Sequence, residues 1–226
     1  MSFEKIVDQS KLCEDVKIQV EQDKKFGKRR GIGNKPIDDA LPTYEKAQVE
    51  KIFADGNNNF IIMGRDRPGH PGTGYGGKGG TQCARIDLIA GMASNFPSKG
   101  PDGKIVYGPP CSGTIVNPNF AMDGARVYIS QRADIDKYMG LSQTPFDSSP
   151  NSDPSKDGFS AIGLKADKIR IHARRDVKIV TGRGKFENAG KDGELLAHGG
   201  KNEIVGTISL IAGNGAQIAG ALQPVI

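Results

Sequence analysis

Apolar and polar residues alternate with a period of two in several short runs, the pattern of strands that turn one face to a core. In residues 12–21, Val16, Ile18 and Val20 fall on one side and charges on the other. Phe60-Ile-Ile-Met63 reads as a second strand, and Ala84, Ile86, Leu88 and Ala90 then alternate with Arg85, Asp87 and Ile89. Lys104–Tyr107, Ser112–Val116 and Ala125–Ser130 are further strand expectations. One segment reads differently. Thr43 to Ala54 (TYEKAQVEKIFA), preceded by Pro42 and stopped near Gly56, predicts a short N-terminal helix. Thr43 would cap it, with Tyr44, Val49, Ile52 and Phe53 as its apolar side.

The most regular stretch comes late. Ile162, Leu164 and Ala166 alternate with their neighbours, then Ile169, Ile171 and Ala173, then Val177, Ile179 and Thr181. Asp167-Lys168 and Arg174-Arg175-Asp176 lie between the runs and read as corners. Each run is expected to bury one face, as in a strand folded back at short intervals, while Lys165, Arg170, His172 and Lys178 point outward. Ile208–Gly213 (ISLIAG) echoes Ile86–Gly91 (IDLIAG). The closing GAQIAGALQPVI, ending Pro224-Val225-Ile226, is small and apolar, which suits docking in cis or on a neighbouring subunit.

These patterns predict a mainly β protein: a short-stranded sandwich or barrel, or β-helix-like turns, with extended loops and that one helix. Four regions follow. Residues 1–35 hold a strand and a basic N-terminal arm, and residues 36–141 a glycine-rich β domain with the helix. Residues 142–158, with five Ser and three Pro, form a loop or linker, and residues 159–226 the repetitive β segment and apolar tail.

Composition sharpens the class. The 226 residues include 31 glycines and no tryptophan, with 6% aromatics, which implies many turns and argues against a helical bundle. The formal charge of +5 is uneven. Residues 24–35 carry six basic side chains and no acid, with Lys24, Lys25, Lys28, Arg29 and Arg30 foremost. Residues 160–185 carry eight basic side chains against Asp167 and Asp176. Such islands meet nucleic acid, or an acidic protein face, or water. No apolar run approaches the roughly 20 residues of a membrane span, and the N-terminus lacks the apolar core of a signal peptide. Synthesis in a cytoplasm is the expectation.

Candidate chemistry is sparse. Residues 70–81 (HPGTGYGGKGGT) match G-x-G-x-x-G and also the start of a P-loop ending at Lys78. Both need a helix whose N-terminus faces the phosphates, and the P-loop needs Ser or Thr after its lysine. Here Gly79 and Gly80 follow Lys78, and the next segment alternates as a strand. The better account is a loop whose glycines let it lie flat on a neighbouring chain, with Gly74, Tyr75, Gly76 and Gly77 in contact. Arg65, Asp66 and Arg67 at its start can pair across a subunit boundary or stay solvated, and Arg170, His172 and Arg174 are contact candidates on the later basic strand. His70, His172 and His198 occupy unrelated settings, and no nucleophile or H-E-x-x-H motif is present. Asp134 and Asp136 share a cation or mark a helix start. Cys13, Cys83 and Cys111 have no metal-ligand spacing and need not form disulfides. No catalytic residue, cofactor or metal ligand is assigned.

Three blocks together resemble a group of virion structural proteins of tailed bacteriophages. They are Met63–Ser94, Ala125–Leu141 and Ser160–Gly182, about a third of the chain. The third also resembles, more loosely, the repetitive strands of phage and secretion-system spike proteins. This chain departs from those because its repeat stops after three runs and the register varies. The resemblance implies a non-enzymatic particle component in the head surface, neck or tail (a capsid decoration or baseplate protein, for example). It implies a virion location, with copies of itself and other virion proteins as partners. Two alternatives stand beside it. One is a basic nucleic-acid-binding module using residues 24–35 and 165–178; the other is a nucleotide enzyme built on Gly72–Lys78.

Overall fold

A computed structural model describes residues 41–66, 82–142, 159–184, 193–197, 199–201 and 206–214. The readings placed on residues 12–21, the basic arm, Arg67, the glycine loop, the linker beyond Ser142, His198 and the C-terminal tail lie outside them. Two compact units make up the chain: the first holds described residues 41–65, 85–128 and 164–167, and the second holds the rest.

The fold is mainly β, built of antiparallel strands in sheets that do not close into a barrel. Its strands are β1 (Lys51–Ala54), β2 (Asn59–Arg65), β3 (Ala84–Ala90), β4 (Phe96–Lys99), β5 (Ile105–Gly108), β6 (Ala125–Ala133) and β7 (Phe159–Lys165). A five-stranded sheet runs in the order β1-β2-β3-β6-β7, and β4 and β5 form a two-stranded hairpin. The hairpin register sets Phe96 opposite Gly108 and Lys99 opposite Ile105. Its turn closes through Gly100 N to Lys104 O at 2.8 Å. The period-two runs at 60–63, 84–90, 104–107 and 125–130 are therefore strands, with ends no more than three residues away. Ser112–Val116 is not; it contributes a single parallel bridge, Ile115 to Thr43.

The helix expected over Thr43–Ala54 does not form. Thr43 N donates to Thr114 O at 2.7 Å, and Val116 N donates to Thr43 O at 2.9 Å. From Lys51 the chain is strand, with Ile52 opposite Ile62 and Phe53 opposite Ile61. In a helix Ile52 and Phe53 would share one flank; in β1 they face opposite sides. Local propensity is worth only tenths of a kcal/mol per residue, so tertiary pairing overrides it.

The one described helix, α1 (Ile135–Met139), belongs to the second unit. Asp134 caps it, its carboxylate accepting from Lys137 N at 3.3 Å, so of the two readings of Asp134 the helix start is realised. Gly140 ends it in the left-handed conformation, with φ 62°.

The core lies in the first unit. Phe60 and Ile62 of β2, Ile89 of β3, and Met92, Ala93 and Val116 form it, with Tyr44, Ile52, Phe96 and Met122 packed around. Asn58, at φ 55°, pins the loop after β3. Its amide donates to Met92 O at 3.1 Å and accepts from Met92 N at 3.2 Å, a reciprocal pair that mimics a strand bond. On β3 the buried side is Arg85, Asp87 and Ile89, whereas Ile86 and Leu88 are exposed. Alternation located the strand; it did not say which face turns inward.

Candidate functional site

Two features of the described residues invite a functional reading, one buried and one exposed. The buried one starts at Glu50, whose carboxylate accepts from Tyr44 OH at 2.9 Å, from Ala47 N at 2.9 Å and from Arg85 Nη2 at 3.1 Å. Arg85 Nε lies 3.2 Å from Asp87 Oδ2. Asp87 Oδ1 accepts from Arg126 Nε at 2.6 Å, and Arg126 Nη1 approaches Asp123 Oδ2 at 3.6 Å. Three carboxylates thus alternate with two guanidiniums. Burial pushes Asp123 up to about 6, although its bonds from Ala93 N and Asn119 N and the Arg126 charge pull it down. Arg126 also lies over the Phe120 ring at 3.9 Å, and that ring meets Tyr128 edge to face at 5.1 Å.

Charge-bearing residues in a row resemble catalytic machinery, but access decides. The side chains of Glu50, Arg85, Asp87 and Arg126 are at most 2% exposed. A substrate does not reach them. The chain of ions holds β3, β6 and the 44–50 segment in register. Asp66, in the second unit, is likewise fully enclosed by its own chain, and its N–H donates to Cys83 O at 2.8 Å. Of the loop-start trio, Arg65 is thus the exposed member among the described residues, and Asp66 is out of reach of a neighbouring subunit.

The exposed feature is the segment after β7. Every residue from Asp167 to Arg183 is exposed. Arg170, His172 and Arg174 fall within it, as the sequence placed them. The expected corners are real: the chain bends at Asp167 and at Arg174-Arg175, and runs between them without turn or helix. The expectation that each run buries one face is overturned. Ile171 is 73% exposed, and Ile169, Val177, Ile179 and Val180 are exposed as well. Neither run beyond β7 joins a strand ladder among the described residues. A sheet edge or partner surface that would cover them is therefore not supplied by the described parts of this chain.

A second exposed segment, 206–214, accompanies it in the same unit. Ile208, Leu210 and Ile211 stand out, Leu210 at 87% exposure. Asn214 anchors its end: the side-chain amide donates to Gly140 O at 2.9 Å and accepts from Ser142 N. Thr181 Oγ1 donates to Gly206 O at 3.3 Å, tying the two segments at one point. On the first unit, Phe53, Ile61, Ile86 and Leu88 present a further apolar face to solvent. The alternation assigned a buried face to the runs in residues 162–181; for Ile86, Leu88 and residues 208–211 it gave the pattern without saying which side is inside. Exposure of that many aliphatics is the mark of an interaction surface.

Among the described residues no group of His, Cys, Asp and Glu is placed to hold a metal ion. No described helix is long and apolar enough to cross a membrane. Cys83 is a buried thiol outside any disulfide, whereas Cys111 is disulfide-bonded. Comparison with protein families, with curated proteins and with solved structures finds no match to this chain.

Proposed function

We propose that the protein is a non-enzymatic structural component of a tailed-phage virion. It assembles as a homo-oligomer on the head, neck or tail and binds neighbouring virion proteins. The observation that supports this reading is the run from Asp167 to Arg183, exposed throughout and studded with alternating aliphatics. Burying one such side chain contributes roughly 1.5–3 kcal/mol, so a monomer that leaves several in water forgoes a large stabilisation that assembly recovers. Three sequence blocks resembling phage virion proteins supply the setting. The test joins two measurements: mass and symmetry of the purified chain by light scattering, and its location in particles by microscopy. A symmetric oligomer found in particles is the expected result; a stable monomer absent from them overturns it.

A second reading is favoured by the same segment's charge. Lys168, Arg170, Arg174, Arg175, Lys178 and Arg183 are exposed against Asp167 and Asp176, which suits a phosphate backbone. Aromatic residues do not interleave with them, so base stacking would be absent. Duplex binding that collapses between roughly 50 and 200 mM salt would select this reading, and salt-insensitive self-association selects the first.

A further inference from the structure

Two runs within the exposed segment fit each other and are not paired. Asp167-Lys168-Ile169-Arg170-Ile171-His172-Ala173 and Arg175-Asp176-Val177-Lys178-Ile179-Val180-Thr181 repeat one design at a spacing of eight residues. Laid side by side in the same direction at that offset, Asp167 meets Arg175 and Lys168 meets Asp176. Ile169 then meets Val177, Ile171 meets Ile179, and Ala173 meets Thr181. Opposite charges at one end and β-branched aliphatics along one face are the matches that stabilise neighbours across a sheet. Arg170 beside Lys178 is a like-charge match on the other face, which water and salt screen.

This chain does not make that pairing with itself. Parallel strands need a connection of roughly a dozen residues or more, and Arg174 alone separates these runs. The structure agrees with the steric limit. Among the described residues neither run is in a ladder; Arg170 Nη1 donates to Ile169 O at 3.1 Å and Thr181 Oγ1 to Gly206 O. An antiparallel foldback about Arg174 would set Ile171 against Val177 and Ile169 against Ile179, but it places Asp167 and Lys168 against Thr181 and Val180 without their opposite-charge matches, and no ladder joins the two runs among the described residues. The parallel complement, which the one-residue connection denies each run in cis, is present in a second copy.

We infer that the runs pair in trans, the 167–173 run of one copy lying parallel to the 175–181 run of a second copy. This rests on the self-assembly proposed above and names the surface that carries it. Two different runs meet, so the contact is head-to-tail: each copy offers one run to a neighbour on either side, and a closed set is a ring.

The test uses the full-length chain and light scattering, with near-UV circular dichroism to verify folding. Ile171 and Ile179 are exposed, so Ile171→Glu and Ile179→Glu keep the fold. Each variant alone is expected to lose the ring. Mixed together they are expected to give a one-to-one dimer, because one retains an intact 175–181 run and the other an intact 167–173 run. Lys168→Asp weakens assembly about tenfold and Asp176→Lys restores it in the double variant, a size that opposite-charge matches repeated around a ring supply. A wild-type oligomer left intact by the glutamate variants, or a mixture that stays monomeric, overturns the trans pairing while the assembly reading survives. A wild-type chain that is monomeric at all concentrations, or that is captured only by a different protein, overturns both.

Discussion

Arg126 Nε donates to Asp87 Oδ1 at 2.6 Å with both side chains wholly enclosed, and Asp87 is at the same time 3.2 Å from Arg85. One carboxylate therefore serves two buried guanidiniums on neighbouring strands. Removing it leaves Arg85 with Glu50 at 3.1 Å and Arg126 with Asp123 at 3.6 Å, and breaks the link between them. Asp87→Ala is expected to cost about 3–5 kcal/mol, the usual penalty of removing one partner from a buried ion pair. Asp87→Asn keeps an acceptor for Arg126 and should cost less. Urea denaturation of the variants checks the order.

Asp123 gives the fold a pH dependence whose sign is set by burial. Its carboxyl is raised from 3.8 to about 6. Between these values the native chain holds a proton that the unfolded chain has released. Stability from this group is therefore full below the lower value, falls as pH rises through the window, and is lost above it. A rise of roughly two pH units corresponds to about 3 kcal/mol. Asp123→Asn has no such slope, so its unfolding free energy relative to wild type should rise by about that amount from pH 4 to pH 7. Denaturant titrations at the two pH values decide it, and parallel curves would refute the assignment.

Thiol chemistry separates the cysteines. Cys83 is buried and outside any disulfide, and Cys111 is disulfide-bonded. Under native conditions an alkylating reagent should label neither. Denatured without reductant, the chain should react at Cys83 but not at Cys111, and reduction should then expose Cys111. Peptide mass mapping reads each step.

Gly64 in β2 is held where no side chain fits. Its φ is 156°, and a Cβ there would lie 2.6 Å from Val49 O and 3.0 Å from Glu50 Cα, both backbone atoms. Neither can swing aside. Gly64→Ala should therefore displace the segment that carries Glu50 and destabilise by about 1–3 kcal/mol. A loss of the Arg85–Glu50 pair would appear as a thermal midpoint lowered further than by an alanine at an open glycine such as Gly200, where an added Cβ would meet only Leu196 Cδ1 at 3.7 Å.

The two faces of β3 should respond in opposite ways to substitution. Ile89→Ala opens the core and is expected to cost about 2–5 kcal/mol. Leu88→Thr, next along the chain on the solvent face, should change monomer stability by no more than about 0.5 kcal/mol. Equal losses would mean that the exposed face is covered within the same chain.

Much of the architecture was legible in the alternation of residues. Phe60–Met63, Ala84–Ala90 and Ala125–Ser130 lie in strands, as does Lys104–Tyr107 but for Lys104. That signal survives because a period of two is a property of the strand itself, whatever it packs against. The Thr43–Ala54 helix misled because its capping residue and apolar side are local features, and the partners that outcompeted them, Thr114, Val116 and Arg85, lie 35 or more residues away. Glu50 as a buried partner of Arg85 had no marker in sequence at all.

The chain's own text determined that it is rich in β-structure, that its charge is clustered, and that residues 167–181 repeat a strand-like design with corners at Asp167 and Arg174. Only the folded arrangement decided which face of each run is inside: Arg85 and Asp87 went inward while Ile86, Leu88, Ile171 and Ile179 stayed in water. Periodicity fixes that two faces differ. Which one is buried depends on what lies opposite, and that is a fact about space between distant segments, not about spacing along one of them.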